Sequence, residues 1–222
     1  MKLNNYIDHT LLKPTATSED IRILCDEAEK YNFYAVCVNG SRVSDCKRFL
    51  NSDKVKIAAV VGFPLGASST VVKIFEARNA IEDGADEIDM VINVGWLKEG
   101  RTEDVLKEIK LLKEAIKQKV LKVIIETCFL TKDEIVQAAE ICVKAAADYV
   151  KTSTGYGTGG ATFEDVILIK KTVGNHAKIK ASGGIKDKES ALKYLSLGVT
   201  RLGTSSGISL MEGILETDGS KY

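Results

Sequence analysis

Two lysines interrupt short apolar runs in the second half of the chain, where a charged side chain is costly to bury. Lys151 follows Tyr149-Val150, and Lys180 lies in Ile179-Lys180-Ala181. A lysine inside such a strand must reach water, find a partner or titrate at an unusual pH. Two ammonium groups close together disfavour double protonation, so one of them can be a neutral amine near pH 7. A neutral amine attacks carbonyl groups, and the pair therefore indicates Schiff-base chemistry.

An aspartate lies in a third apolar run, Glu87-Ile88-Asp89-Met90-Val91. Asp89 could serve as a general acid/base or as a counter-charge to the two lysines. Either lysine alone is better explained by a side chain that extends to the end of its strand and has no function. Two lysines and an aspartate at matching ends of three strands favour a functional site. Lys178 has the same parity as Lys180, and we place it at the amino-terminal end of its strand.

Glycines and serines follow three successive apolar runs late in the chain. They are Gly155, Gly183, Gly184, Ser205 and Ser206. Backbone N–H groups at such turns bind phosphate, and the accompanying serines favour this interpretation over tight turns alone. Residues 155–160 also match the dinucleotide-binding pattern G-x-G-x-x-G. They occur late in the chain, however, and lack the acid expected about 20 residues further on.

The elements that must position these residues are short apolar runs that alternate with longer helical stretches. The runs are rich in Val and Ile and often apolar on both parities, as in strands covered on both faces. They span residues 6–9, 34–39, 56–63, 86–93, 121–127, 148–153, 177–182 and 200–204. Eight units in 222 residues average about 28 residues each, the size of a compact strand–helix repeat. We therefore predict an α/β fold, a single-domain (β/α)8 TIM barrel over residues 1–222, with an open doubly wound sheet as the main alternative.

The longer stretches have the spacing of amphipathic helices. In residues 102–119, apolar side chains recur three or four positions apart, at Val105, Ile109, Leu112 and Ile116. Residues 131–134 form a capping box that predicts the start of the next helix. In a barrel built from such units, the chemistry lies at the carboxyl ends of the strands. The lysines, the aspartate and the glycine turns would then meet at one opening.

The bulk composition excludes several classes of protein. Lys+Arg and Asp+Glu both number 31, so the formal net charge is zero and offers no basic field to nucleic acid. No apolar run is long enough to span a bilayer, and the polar N-terminus does not resemble a signal peptide, so we expect a cytoplasmic protein with no membrane partner. The five cysteines contain no C-x-x-C pair. No H-E-x-x-H, nucleophile-elbow or Walker A motif is present, and we expect no metal or other cofactor.

Taken together, these segments resemble the deoxyribose-phosphate aldolases, a family of class I aldolases, over nearly the whole chain. The most specific segments are Val150-Lys151-Thr152-Ser153-Thr154-Gly155, Ile179-Lys180-Ala181-Ser182-Gly183-Gly184, Glu87-Ile88-Asp89-Met90-Val91, Arg201-Leu202-Gly203-Thr204-Ser205-Ser206 and the opening motif Ile7-Asp8-His9-Thr10. The resemblance implies reversible cleavage of 2-deoxy-D-ribose 5-phosphate to D-glyceraldehyde 3-phosphate and acetaldehyde. It also implies small phosphosugar and aldehyde partners, no cofactor, and a homodimer or homotetramer.

The resemblance further implies the catalytic residues. Lys151 would form the Schiff base, Lys180 would keep that amine uncharged and relay protons, and Asp89 would assist the proton transfers. The last residue of the chain, Tyr222, resembles a carboxy-terminal tyrosine that assists proton transfer in some members of the family.

Substrate-binding positions follow from the same resemblance. Phosphate would be held at Gly155, Gly183, Gly184, Ser205 and Ser206. Asp8, Cys37 and Thr154 would lie close to the substrate. Tyr156 is a departure from the family pattern, because some members have a lysine at this position. Any positive charge that this lysine offers to the phosphate is missing here.

Two other functions fit the same residues. A different Schiff-base lyase or a transaldolase-like enzyme could use the same barrel. A preference for dihydroxyacetone over acetaldehyde as donor would distinguish it from a deoxyribose-phosphate aldolase. A non-catalytic barrel could bind a phosphate ligand, with its lysines only neutralising charge. We favour an enzyme, because a simple anion site would more readily use loop arginines than lysines inside strands.

Overall fold

The described part of the chain, residues 2–213 of the computed structural model, contains eight β-strands. In chain order they are β1 Ile7–Leu11, β2 Ala35–Asn39, β3 Lys56–Val61, β4 Glu87–Val91, β5 Val120–Ile124, β6 Tyr149–Lys151, β7 Lys178–Ser182 and β8 Arg201–Thr204. Each strand is parallel to its neighbours, and β8 pairs with β1 through Leu202 and Ile7. This closure confirms the predicted (β/α)8 barrel and excludes the open doubly wound sheet.

Helices connect the strands on the outside of the barrel. They are α1 Ser18–Tyr31, α2 Val43–Phe49, α3 Thr70–Glu82, α4 Val94–Lys98, α5 Thr102–Ile116, α6 Lys132–Lys144, α7 Phe163–Val173, α8 Lys188–Ser196 and α9 Gly207–Glu212. The helix predicted over residues 102–119 is α5. The predicted capping box is also present, because Thr131 and Glu134 each accept the other's N–H at the start of α6. Within residues 2–213, no helix combines the length and apolarity needed to cross a membrane.

Both faces of the strands are buried, one against the helices and one inside the barrel. In β7, Ile179 and Ala181 belong to the main hydrophobic core, whereas Lys180 and Ser182 alternate with them and are also buried. This explains why the strands are apolar on both parities. Lys178, at the first position of β7, is exposed, as expected for the amino-terminal end of the strand.

Four strands, β3 to β6, end earlier than predicted, because the chain bends away from the sheet before its apolar residues end. After β3 ends at Val61, Gly62 adopts a positive φ of 62°. After β5 ends at Ile124, Glu126 adopts a positive φ of 55°. The residues beyond these ends form the loops at the carboxyl end of the barrel, where the predicted site lies.

A buried ion pair ties α3 and α5 to the end of β4. Lys73 Nζ lies 2.9 Å from Glu108 Oε2 and donates to the Val91 carbonyl oxygen at 2.9 Å. Neither charged side chain is exposed. Glu108 also accepts the N–H of Asn93 at 3.3 Å. The pair therefore holds the segment that follows β4 against two helices.

Candidate active site

Lys151 and Lys180 lie side by side inside the barrel, as direct partners in the ladder between β6 and β7. Their Nζ atoms are 2.9 Å and 2.7 Å from the same oxygen, Oδ2 of Asp89. Lys180 and Asp89 are fully buried, and the Lys151 side chain retains 3% exposure. The structure thus brings together the three residues that the sequence places at matching ends of three strands.

Further charged side chains extend this cluster towards the amino-terminal end of the barrel: Asp8, Glu87, Lys122 and Arg201. Lys122 Nζ lies 2.6 Å from Asp89 Oδ1 and 2.5 Å from Glu87 Oε2. The guanidinium of Arg201 donates to both oxygens of Glu87, at 3.1 and 2.7 Å, and to Asp8 at 2.6 Å. Asp8 Oδ2 in turn lies 2.5 Å from Lys180 Nζ. Every charged group of the cluster therefore has an opposite charge beside it.

These ion pairs fix the protonation states of most of the cluster. Burial acts to raise the pKa of Asp89, but three surrounding lysines outweigh it and hold that pKa well below its usual range. The pKa of Asp8 is lowered to about 2, because Arg201 and two lysines likewise outweigh its burial. Burial acts to lower the pKa of Lys122 and of Lys180, yet the neighbouring carboxylates raise both above the usual value. The two aspartates are ionised and these two lysines are cationic at neutral pH.

Charge balance distinguishes Lys151 from the other bases. The cluster holds three carboxylates and four basic side chains, so it carries no net charge when one base is neutral. Arg201 stays protonated at any accessible pH. The neighbouring carboxylates keep Lys122 and Lys180 cationic. Lys180 lies against two carboxylates, whereas Lys151 forms its ion pair with Asp89 alone among the described residues. Lys151 is therefore the base of this cluster with the fewest carboxylate partners.

A cavity of about 260 Å³ lies between the loops that follow β6, β7 and β8. Its lining includes all the predicted phosphate positions, Gly155, Gly183, Gly184, Ser205 and Ser206. Gly155, Gly183 and Gly184 have φ values of 90°, 84° and 80°, which side chains with a Cβ rarely adopt. A Cβ on Gly160 would lie 2.1 Å from the Gly183 carbonyl oxygen. The first two loops therefore pack backbone against backbone and form one continuous wall.

An apolar cluster lies inside the barrel on the side of β2 and β3. Cys37 packs there with Leu12, Ala58, Val60 and Phe63. Burial raises the pKa of the Cys37 thiol, with Lys180 acting in the opposite direction. The thiol is therefore neutral at physiological pH. Cys37 offers a small apolar surface near the charged cluster, in keeping with the expectation that it lies close to a substrate.

Glu126, just beyond β5, contacts the loop that follows Lys151. Its carboxylate accepts the N–H of Thr154 at 3.1 and 3.3 Å and also accepts the Thr154 hydroxyl. Burial raises the pKa of Glu126, although the hydrogen bonds from Thr154 favour its ionised form.

Comparison with known proteins agrees with this geometry. A model of the DeoC/LacD family aldolases matches residues 3–210. The chain belongs to this family.

Relatives of this DeoC/LacD aldolase cover nearly its full length. It is 55% identical over 218 residues to the deoxyribose-phosphate aldolase of Carboxydothermus hydrogenoformans, with 96% of each chain covered. It is 58% identical over 213 residues to that of Finegoldia magna, covering 96% of this chain and the whole relative. The structure of deoxyribose phosphate aldolase from Aeropyrum pernix, described as tetrameric, matches with a TM-score of 0.86 and 32% identity, over 95% of this chain and 89% of that one.

Two predicted site residues of the DeoC/LacD aldolase, Asp8 and Thr154, do not line this cavity. Asp8 is fully buried below the two amines and pairs with Lys180 and Arg201. The hydroxyl of Thr154 is bound to Glu126. Tyr222 lies outside the described residues, and its role stays a prediction.

Tyr156 occupies the position at which some family members have a lysine, and its side chain extends across the carboxyl-terminal opening of the barrel. Its hydroxyl donates to the Leu12 carbonyl oxygen at 2.8 Å, and its ring meets that of Phe63 edge-on at 5.4 Å between centroids. The side chain therefore joins the loop after β6 to those after β1 and β3. A cation is still present at the cavity predicted to hold phosphate, because Lys186 contributes to its lining.

Sequence reasoning assigned no role to four charged residues of the DeoC/LacD site: Glu87, Lys122, Glu126 and Arg201. The alternation of side chains along a strand could have indicated Glu87, because it lies two positions before Asp89 and so faces the same side of the strand. Arg201 opens its strand in the same way as the exposed Lys178. Parity alone could not show which of these two side chains would be buried.

Proposed function

We propose that this aldolase cleaves 2-deoxy-D-ribose 5-phosphate to D-glyceraldehyde 3-phosphate and acetaldehyde, and catalyses the reverse condensation. The observation that carries the proposal is the pair of buried amines, Lys151 and Lys180, on one oxygen of Asp89. A cavity of about 260 Å³ lies at the loops that follow the strands of those amines and β8. The full-length relatives named deoxyribose-phosphate aldolase support the same substrate.

In the first half of the reaction, the Lys151 amine attacks C1 of the open-chain sugar. Loss of water gives an iminium ion whose positive nitrogen withdraws electrons. A base takes the proton of the C3 hydroxyl, the C3–O bond becomes a carbonyl, and the C2–C3 bond breaks. The electrons of that bond move into the iminium and form an enamine on Lys151. D-Glyceraldehyde 3-phosphate is the product that leaves.

In the second half, the enamine is protonated at C2, and water hydrolyses the resulting imine to acetaldehyde and free Lys151. Lys180 is a cation in contact with Asp89 and can donate a proton that solvent returns. Because Asp89 is ionised, it acts in the resting protein as a hydrogen-bond acceptor for both amines. The phosphate cavity anchors the far end of the sugar and so aligns C1 with the amine.

The test is borohydride trapping with acetaldehyde, followed by peptide mapping. Borohydride reduces the imine to a stable amine, so an ethyl group should appear on Lys151. Lys151→Met should abolish both this label and sugar cleavage. Lys178→Met, which removes an exposed lysine from the neighbouring strand, should change neither. A label on another lysine would refute the assignment of Lys151.

The same assay separates the alternative functions. A transaldolase-like enzyme would be trapped with dihydroxyacetone in preference to acetaldehyde. A non-catalytic phosphate-binding barrel would bind the sugar phosphate without any borohydride-dependent labelling. Cleavage of the phosphosugar together with acetaldehyde trapping would exclude both.

We also propose a cytoplasmic homo-oligomer, a dimer or a tetramer. The tetrameric relative from Aeropyrum pernix supports assembly. All five cysteines are unpaired thiols, which fits a reducing compartment. Sedimentation equilibrium would measure the assembly, and a monomer at micromolar concentration would contradict it.

A further inference from the structure

The carboxylate of Glu126 is buried against the first turn of the loop that follows Lys151. Glu126 is 2% exposed. Its two oxygens accept the N–H of Thr154 at 3.1 and 3.3 Å, and one of them also accepts the Thr154 hydroxyl. An ionised carboxylate accepts hydrogen bonds and cannot donate them. The hydroxyl proton of Thr154 is therefore directed towards Glu126.

The chain of hydrogen bonds continues into the loop. The oxygen of the Thr154 hydroxyl accepts the N–H of Tyr156 at 3.0 Å. Because its proton is already bound to Glu126, this hydroxyl has no second proton to offer a substrate. Thr154 therefore acts on the reaction through the shape of the loop.

The backbone around Glu126 is held in a conformation that costs energy. Its φ of 55° and ψ of 68° lie in the left-handed region, which a residue with a Cβ rarely adopts. The neighbouring N–H of Thr127 donates to the Thr152 carbonyl oxygen at 3.0 Å, so the turn is fastened to the chain that follows Lys151. The left-handed turn places the carboxylate under the loop. Strain of this kind persists where the surrounding structure needs it.

The loop also packs directly on this turn. A Cβ on Gly157 would lie 2.6 Å from Cys128 Sγ and 3.4 Å from Glu126 Cδ. No side chain therefore fits between the loop and the carboxylate. From Gly157 the loop continues to Gly160, which packs on Gly183 and completes the wall of the phosphate cavity.

We propose that Glu126 is a positioning residue that sets the phosphate wall, residues 155–160, relative to the amine of Lys151. The role rests on the proposed function, because it assumes a phosphorylated substrate. Glu126 then affects the binding of the phosphate end of the sugar through this wall, without itself contacting the phosphate. Loss of the carboxylate should then weaken binding of phosphorylated substrates and leave the amine reactive.

Two substitutions remove the contact from opposite sides. Glu126→Gln keeps the shape of the side chain and replaces one acceptor oxygen by a donor, and Thr154→Val keeps the shape of threonine and removes the hydroxyl. Each should raise KM for 2-deoxyribose 5-phosphate about tenfold, the loss expected for one hydrogen bond to a charged group. The kcat of each variant, its KM for unphosphorylated 2-deoxyribose and its trapping by acetaldehyde should stay within about threefold of wild type, since none of these involves a bond to phosphate. Thr154→Ser, which retains the hydroxyl that Glu126 accepts, should recover most of the affinity for the phosphorylated sugar that Thr154→Val loses.

A third variant tests the position of the loop with Glu126 intact. Gly157→Ala places a Cβ against Cys128 Sγ and should raise KM for the phosphorylated sugar in the same selective way. Adding Cys128→Ala removes the sulfur and should restore KM. This pair keeps the proposal testable if Glu126→Gln fails to fold.

Several outcomes would overturn the role of Glu126. One is a variant that loses affinity equally for phosphorylated and unphosphorylated sugar, and another is a variant that loses trapping by acetaldehyde. Variants indistinguishable from an active wild type would overturn it as well. Wild-type protein without activity on the phosphosugar would instead refute the proposed function, and this inference with it.

Discussion

Asp8 and Asp89 stay charged inside the barrel because each contacts more than one buried cation. Asp8 lies against Lys180 and Arg201, and Asp89 accepts hydrogen bonds from three lysines. A carboxyl whose pKa is lowered in the folded protein contributes stability at pH values above its unfolded pKa. That stability is lost as the pH falls through the folded pKa. At the scale of single residues, the site and the stability of the barrel therefore depend on the same ion pairs.

We expect the wild-type free energy of unfolding to fall steeply between about pH 4 and pH 2, the interval between the usual pKa of aspartate and the folded pKa of Asp8. Asp8→Asn should make this slope smaller. At pH 7 the same variant should be less stable by about 3 to 5 kcal/mol, because it leaves buried cations without a full counter-charge. Urea unfolding over this pH range measures both effects.

The matched control for Asp8 is Asp53, an exposed aspartate that pairs with Lys47 at the surface. Asp53→Asn should change the free energy of unfolding little at either pH, since solvent screens that pair. Equal losses in the two variants at pH 7 would show that burial of Asp8 does not determine its contribution.

At the scale of elements, α3, α5 and the end of β4 meet at the buried pair of Lys73 and Glu108. Burial lowers the pKa of Lys73 and raises the pKa of Glu108, so for both groups desolvation outweighs their mutual attraction. Such a pair fixes how the elements fit together without adding much net stability. Its geometry holds the Asn93 N–H and the Val91 carbonyl, and with them the segment after β4.

Removing one partner of this pair should lower the free energy of unfolding more than removing both. Lys73→Met should lower the free energy of unfolding by about 3 to 5 kcal/mol, because it leaves Glu108 buried without a counter-charge. The double variant Lys73→Met/Glu108→Leu should recover most of that loss. Lys98→Met, which breaks a more exposed pair with Glu134, is the control and should have a small effect. A double variant no more stable than the single one would contradict this account of the pair.

At the scale of the whole molecule, the phosphate cavity exists only when three loops from separate strands are brought together. They follow β6, β7 and β8, and β8 is positioned in part by its pairing with β1. A ligand that binds only the closed barrel stabilises the entire fold by mass action. Binding at one cavity is therefore a measure of the intact barrel.

Inorganic phosphate should raise the Tm of the protein. At 100 times its Kd the expected stabilisation is about 2.7 kcal/mol, or roughly 5 to 10 °C for a chain of this size. Differential scanning fluorimetry measures the shift, with chloride at equal ionic strength as the control. Lys186→Met, which removes a cation from the lining, should shrink the shift. An equal rise in Tm in the chloride control would show that no phosphate site is involved.

Much of the fold could be predicted because its signals are local. Strands apolar on both parities alternate with amphipathic helices, and this pattern predicts eight units in a closed barrel, with an open doubly wound sheet as the alternative that the structure excludes. Strand ends were harder to predict, because the turns at Gly62 and Glu126 depend on packing against neighbouring loops. The meeting of Lys151, Lys180 and Asp89 could also be predicted, since parallel strands present their carboxyl ends at the same opening.

The amino-acid sequence by itself determined the type of chemistry: which strands carry amines, which carries the acid, and where glycines leave room for phosphate. Only the tertiary structure decided how many carboxylates contact each amine. Arg201 pairs with Asp8 and Glu87 across 193 and 114 residues of chain, and these contacts exist only once the barrel has closed. Because the charge of a buried amine depends on how many carboxylates surround it, the distinction between Lys151 and Lys180 is a property of the closed barrel.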